Sequence, residues 1–92
     1  MMIKRSIYKI PDGKLVKIEL KEKQGKIIRI KITGDFFIYP EEMIYSLEDH
    51  LVGCTIERTV LKNKIEKWLR KYQIDCFGIT STGLADAIIM VK

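Results

Sequence analysis

The sequence predicts an α+β fold, a small antiparallel three-stranded sheet packed by two or three helices, in one domain over residues 1–92. Three observations predict it. Apolar and polar residues alternate through the first third of the chain, the period of strands with one wet face. Short turn signals, Pro11-Asp12-Gly13 and Gln24-Gly25, join the alternating runs into a meander. Beyond Pro40 the apolar spacing changes to three and four, which suits helices able to cover the sheet's apolar face.

Each element follows in order. Ile3 to Ile10 is extended in character and ends at Pro11-Asp12-Gly13, where proline presets φ and Asp-Gly tolerates positive φ. Lys14 to Lys23 alternates, with Val16, Ile18 and Leu20 inward and Lys17, Glu19 and Lys21 outward. Lys26 to Thr33 alternates again, with Ile28, Ile30 and Ile32 expected inward and Arg29, Lys31 and Thr33 outward. Gly34-Asp35 ends the third strand and Phe36-Phe37-Ile38 follows. Pro40 is expected to open a helix, with Glu41 and Glu42 complementing its N-terminal dipole, Met43, Ile44, Leu47 and Leu51 as its apolar stripe, and Gly53 ending it. Thr55 is expected to cap a second helix from about Ile56 to Tyr72, whose stripe is Val60, Leu61, Ile65, Trp68, Leu69 and Tyr72. Ser81 or Thr82 is expected to cap a final helix, Gly83 to Val91, although Ile88-Ile89-Met90-Val91 also reads as a strand.

Composition narrows the function. An apolar share of 47% with 32% charged residues suits a globular chain rather than a disordered one. The apolar runs Phe36 to Tyr39 and Ala87 to Val91 fall far below the roughly 18 residues of a membrane span. Met1-Met2-Ile3-Lys4-Arg5-Ser6 has positive charge but no apolar stretch behind it, unlike a secretory signal. Two cysteines, Cys54 and Cys76, are too few for a disulfide framework and read as reduced thiols. The expected location is therefore cytoplasmic. The net charge of +5 invites a nucleic-acid reading, but acidic residues are interspersed throughout and a mixed solvated surface accounts for it.

No catalytic constellation is visible. His50 is the single histidine; with Cys54 at i,i+4 it is a weak metal signal, and neither cysteine has a clear activator. Glu41-Glu42 and Glu48-Asp49 read as helix charges rather than acid–base pairs. No glycine-rich phosphate loop occurs. The chain is expected not to be an enzyme by itself and to hold no metal or cofactor of its own. The alternative is a basic nucleic-acid-binding module, in which Lys62, Lys64, Lys67, Arg70 and Lys71 track a backbone and Trp68 or Tyr72 stacks on bases, or some other protein-interaction domain.

One set of segments says more. Lys9-Ile10-Pro11-Asp12-Gly13-Lys14-Leu15-Val16-Lys17-Ile18, then Gly25-Lys26-Ile27, then Ile30-Lys31-Ile32-Thr33-Gly34-Asp35-Phe36-Phe37, then a Pro-Glu-Glu helix ending Leu51-Val52-Gly53, together resemble the C-terminal accessory domain of lipoate–protein ligases. The resemblance covers essentially the whole chain, and Thr33-Gly34-Asp35-Phe36-Phe37 after two turned strands is its most specific part. In that family a large domain binds lipoate and ATP, forms lipoyl-adenylate and passes the lipoyl group to a lysine of an acceptor protein. Its Arg-Arg…Gly-Gly-Gly-type segment and catalytic lysine have no counterpart here. The resemblance therefore implies a free-standing, non-catalytic small subunit of an archaeal two-part ligase, forming a heterodimer with the large catalytic subunit. Lipoate, ATP and magnesium would belong to that partner, and the small subunit would be needed for adenylation more than for transfer. Acceptor proteins are then indirect partners, and neither a membrane nor nucleic acid is expected. The candidate interface residues are Lys14, Gly34, Asp35, Phe36 and Phe37: two adjacent aromatics in an extended chain cannot both face one core unless the chain bends at Gly34. Asp35 is placed either to cap a turn or to reach a basic partner group, and Lys14 beside the Asp-Gly turn either to be solvated or to bring positive charge near the partner's adenylate. A sheet edge or the polar sheet face are the other candidate joints.

Overall fold

The computed structural model describes residues 3–92; Met1-Met2, the start of the segment read against a secretory signal, lies outside them. Five strands and three helices follow the order β1 (Lys4–Lys9), β2 (Leu15–Lys23), β3 (Lys26–Gly34), β4 (Phe37–Tyr39), α1 (Met43–Leu51), α2 (Arg58–Tyr72), β5 (Asp75–Phe77) and α3 (Ser81–Ile89). The expected meander is present as an antiparallel β1-β2-β3 sheet. Gln24 and Gly25 both have positive φ, as the two-residue hairpin turn between β2 and β3 requires.

The apolar face of this sheet is the floor of the core. Val16, Ile18, Leu20, Ile30 and Ile32 are all buried there. Helix α1 packs on β3 and α3 packs on β1 and β2, while α2 lies across α1 and α3. Leu61, Ile65 and Trp68 of α2 are buried, and the Trp68 indole N–H donates to Ser46 Oγ at 3.1 Å, so α2 is tied to α1 with no polar orphan. Tyr72, expected in the same stripe, is exposed beyond the end of the packed surface and stacks obliquely on Trp68.

Both outer edges of the sheet are partly sealed. Arg5 N–H donates to Lys92 O and Lys92 N–H returns to Arg5 O, at 3.2 and 3.0 Å. On the β3 side, Ile27 N–H donates to Cys54 O, Gly53 N–H donates to Ile27 O, and Glu48 Oε2 accepts the Ile32 N–H at 2.7 Å. Gly53 thus follows α1 as expected, but its amide is spent on β3 rather than on the helix.

Four expectations are corrected. The inward set of β3 is Ile27, Ile30 and Ile32. A bulge between the Lys21–Arg29 and Glu22–Ile27 pairs makes Ile28 the extra residue, so Ile27 is 1% exposed and Ile28 37%. Pro40 does not open α1: it precedes a turn whose carbonyls, from Pro40 to Glu42, accept the N–H groups of Met43 to Tyr45, and the helix starts at Met43. Thr55 does not cap α2, because it pairs with Lys26 beside the sheet and the helix begins at Arg58. The last element is a helix from Ser81, capped by Thr80, whose Oγ1 accepts the Gly83 N–H at 2.9 Å. It stops at Ile89 because the chain must turn back to pair Lys92 with Arg5.

The bulge makes a direct prediction. Ile27→Ala is expected to lower the unfolding free energy by about 2–4 kcal/mol and Ile28→Ala by less than about 1 kcal/mol in urea titrations. The opposite ranking would mean that β3 alternates without interruption.

Candidate partner interface

The short β4-β5 ribbon was not expected from the sequence, and it organises the candidate residues. Three-residue strands carry no readable periodicity, and these two are separated by α1 and α2. Their register sets Phe37 opposite Phe77, Ile38 opposite Cys76 and Tyr39 opposite Asp75. Ile38 points inward and is buried. Phe37, Tyr39 and Phe77 point outward and are 53%, 63% and 67% exposed. Three large rings therefore share one open face of the ribbon, with a cross-strand aromatic pair at one end.

Backbone contacts at Lys14 and Leu15 hold this ribbon against the sheet. Lys14 N–H donates to Gly78 O at 2.8 Å, directly after β5. Leu15 O accepts the Asp35 N–H at 3.0 Å, just before β4. Both approaches are too close for a side chain. A Cβ on Gly34 would lie 2.2 Å from Leu15 O, and one on Gly78 would lie 2.3 Å from Lys14 Cγ. Both glycines also have positive φ.

The structure thus brings Lys14, Gly34, Asp35 and Phe37 to one corner. The Lys14 ammonium sits 5.9 Å from the centre of the Phe77 ring, within cation–π range. The Asp35 carboxylate is exposed and joins no ion pair or hydrogen bond among the described residues. Phe36 parts from its neighbour: its ring is half-buried against the core, below the surface that Phe37 presents. Phe77 and Tyr39 belong to the same surface and escaped the sequence reading. The alternation Asp75-Cys76-Phe77 was the available signal, but it spans only three residues.

The reactive side chains elsewhere are occupied by packing. His50 Nε2 lies 3.2 Å from Lys64 O, in position to donate to it, which ties α1 to α2. Cys54 is buried and Cys76 half-buried, and both are free thiols. Burial raises the pKa of each, opposed at Cys54 by Lys64 and reinforced at Cys76 by Asp75. Trp68 is in the core, out of reach of a stacking base. Among the described residues no group of three metal-ligating side chains converges.

The chain is thus a small α+β module that presents an exposed aromatic corner. The chain belongs to the family described as bacterial lipoate protein ligase C-terminus, which matches residues 6–88. It is similar to lipoate-protein ligase A subunit 2 of Thermoplasma acidophilum, with 43% identity over 44 residues, or 48% of this chain and 47% of that protein. The aligned stretch thus spans about half the length of that relative. It is also similar to a solved structure from the study of an archaeal lipoylation system, a bi-partite lipoate protein ligase and its E2 lipoyl domain, from the same organism. That likeness has a TM-score of 0.81 at 28% identity and covers 95% of this chain and 94% of the other.

Two measurements check the geometry. Phe37→Ala and Phe77→Ala are each expected to change urea stability by less than about 1 kcal/mol, whereas Gly34→Ala costs about 2 kcal/mol or more through its clash with Leu15 O. The folded-state thiol pKa values lie above the ordinary 9.0, so the stability tied to them is intact below pH 9 and is lost as pH rises past it. Urea midpoints are expected to fall more steeply between about pH 8 and about pH 10 in the wild type than in the Cys54→Ala, Cys76→Ala variant.

Proposed function

We propose that this chain is the small accessory subunit of a two-part lipoate–protein ligase. It forms a heterodimer with the large catalytic subunit through the Lys14, Gly34, Asp35 and Phe37 corner, widened by Tyr39 and Phe77 and supported from below by the half-buried Phe36. The observation that supports this most is the aromatic ribbon itself. Exposed rings on a backbone tied to the sheet suit a lasting protein joint, because aromatic side chains bury much area at low conformational cost. The likeness to subunit 2 of an archaeal ligase supports the same reading.

In this reading the small subunit makes no bond. Lipoate, ATP and magnesium are bound by the large subunit, which forms lipoyl-adenylate and transfers the lipoyl group, all in the cytoplasm. A subunit that adds no reacting group accelerates adenylation by binding the closed, competent state of its partner more tightly than the open one. Each tenfold of activation requires about 1.4 kcal/mol of that difference.

Lipoate-dependent pyrophosphate release by the large subunit is expected to rise when this chain is added. No stimulation would count against the proposal. The Phe37→Ala, Phe77→Ala variant is expected to weaken heterodimer formation about tenfold or more at an unchanged melting temperature. A lowered melting temperature with unchanged association would instead assign those rings to folding.

A further inference from the structure

The helices cover one face of the β1-β2-β3 sheet and leave the other bare. Register arranges that outer face in rows: Arg5, Glu19 and Lys31 in one, Ile7, Lys17 and Thr33 in the next, and Lys21 opposite Arg29 beyond Glu19. Arg5, Lys17, Lys21, Arg29 and Lys31 thus face a single carboxylate, Glu19, which is paired with Arg5 at 3.2 Å. Lys17, Lys21, Arg29 and Lys31 join no ion pair among the described residues. Their net excess of four makes up most of the +5 carried by the whole chain. Two like-charged pairs stand directly opposite each other across β2 and β3, Lys21 with Arg29 and Lys23 with Lys26. Such pairs repel, and an anionic surface laid over them removes the repulsion.

We infer that this outer sheet face docks an acidic surface of the lipoyl-accepting protein domain, making the acceptor a direct partner where the family resemblance implied an indirect one; the inference rests on the proposed ligase role. Charge complementarity selects an acidic occupant. The rows hold no aromatic ring on which bases could stack, only Ile7 (64% exposed) and Thr33 among the cations, which favours a folded protein over single-stranded nucleic acid. Lys92, Gly53, Cys54 and Glu48 occupy part of the two sheet edges, whereas the outer face is open across all three strands, so its side chains carry the contact. Partner lifetime separates the two surfaces. An aromatic corner suits a lasting subunit joint. A charged face suits a substrate protein that must arrive fast and leave after each transfer. The faces adjoin, because the Lys17–Thr33 pair is the next register step from Val16–Gly34, at the root of the aromatic corner. An acceptor docked on the sheet therefore lies beside the large subunit.

The test uses the assembled two-subunit ligase with an acceptor domain. Lys21→Glu with Lys31→Glu is expected to raise the KM for acceptor about tenfold or more. Heterodimer affinity and lipoate-dependent pyrophosphate release without acceptor stay at wild-type levels. The wild-type KM is expected to climb between about 50 and about 300 mM NaCl and the variant's to stay nearly flat. The milder Lys21→Gln, Lys31→Gln variant is expected to fall between them, which separates a charge effect from misfolding. An unchanged acceptor KM overturns the inference. So does heterodimer loss in the charge variants, which would make this face the subunit joint, and so does lost RNA binding at an unchanged acceptor KM. Failure of the wild-type chain to stimulate pyrophosphate release would instead show that the ligase reading itself is at fault.

Discussion

A sheet that gathers its aliphatic side chains on one side has one face it must hide, and that constraint orders the rest of this molecule. Val16, Ile18, Leu20, Ile27, Ile30 and Ile32 would expose a continuous aliphatic surface without α1 and α3 above them. Those two helices are nine residues each, too short to be stable alone, and α2 lies across both to complete the burial. Trp68 is the point where this upper layer closes, and its indole finds Ser46 rather than water. The polar groups of the interior are satisfied in the same way: no buried side-chain nitrogen or oxygen is left without a partner among the described residues.

A consequence of hiding one face is that the other face, and whatever hangs from the sheet's end, are the surfaces left for recognition. A two-stranded ribbon is marginal on its own. Here β4 and β5 are carried by the sheet through two adjacent residues, Lys14 gripping Gly78 and Leu15 gripping Asp35. The backbone that carries Phe37 and Phe77 is thereby tied down, so in the proposed joint less main-chain freedom is lost on binding. The requirement for glycine at positions 34 and 78 follows from the same grip, since any Cβ would meet backbone or the Lys14 stem.

The two surfaces differ in the physics of attachment. Aromatic area gains its free energy from leaving water and is not weakened by charge screening. A field of unpaired lysines and arginines acts at a distance, speeds encounter and is screened at physiological ionic strength. The proposed ligase role, with one lasting and one transient partner, uses both on the same small domain, and the shared border at Leu15 and Gly34 keeps them within a residue step of each other.

Strand alternation, turn chemistry and helical stripes determined the three-stranded meander, the helices and the core positions Val16, Ile18, Leu20, Leu61, Ile65 and Trp68. Each of these rests on interactions within a few residues of chain. The Gly34-Asp35-Phe36-Phe37 segment was also legible as a corner with one ring to spare, because two neighbouring side chains in extended chain point opposite ways. What lay beyond the sequence was set by pairing between distant segments. The bulge at Ile28 exists only in the register of β3 against β2, Thr55 lost its capping role to Lys26, and Phe77 joined Phe37 only because α1 and α2 return the chain to the same place. Local periodicity records which side chains want water; which strands meet, and so which exposed rings and charges become one surface, is decided by the tertiary fold, where long-range contacts bring together residues that no local pattern connects.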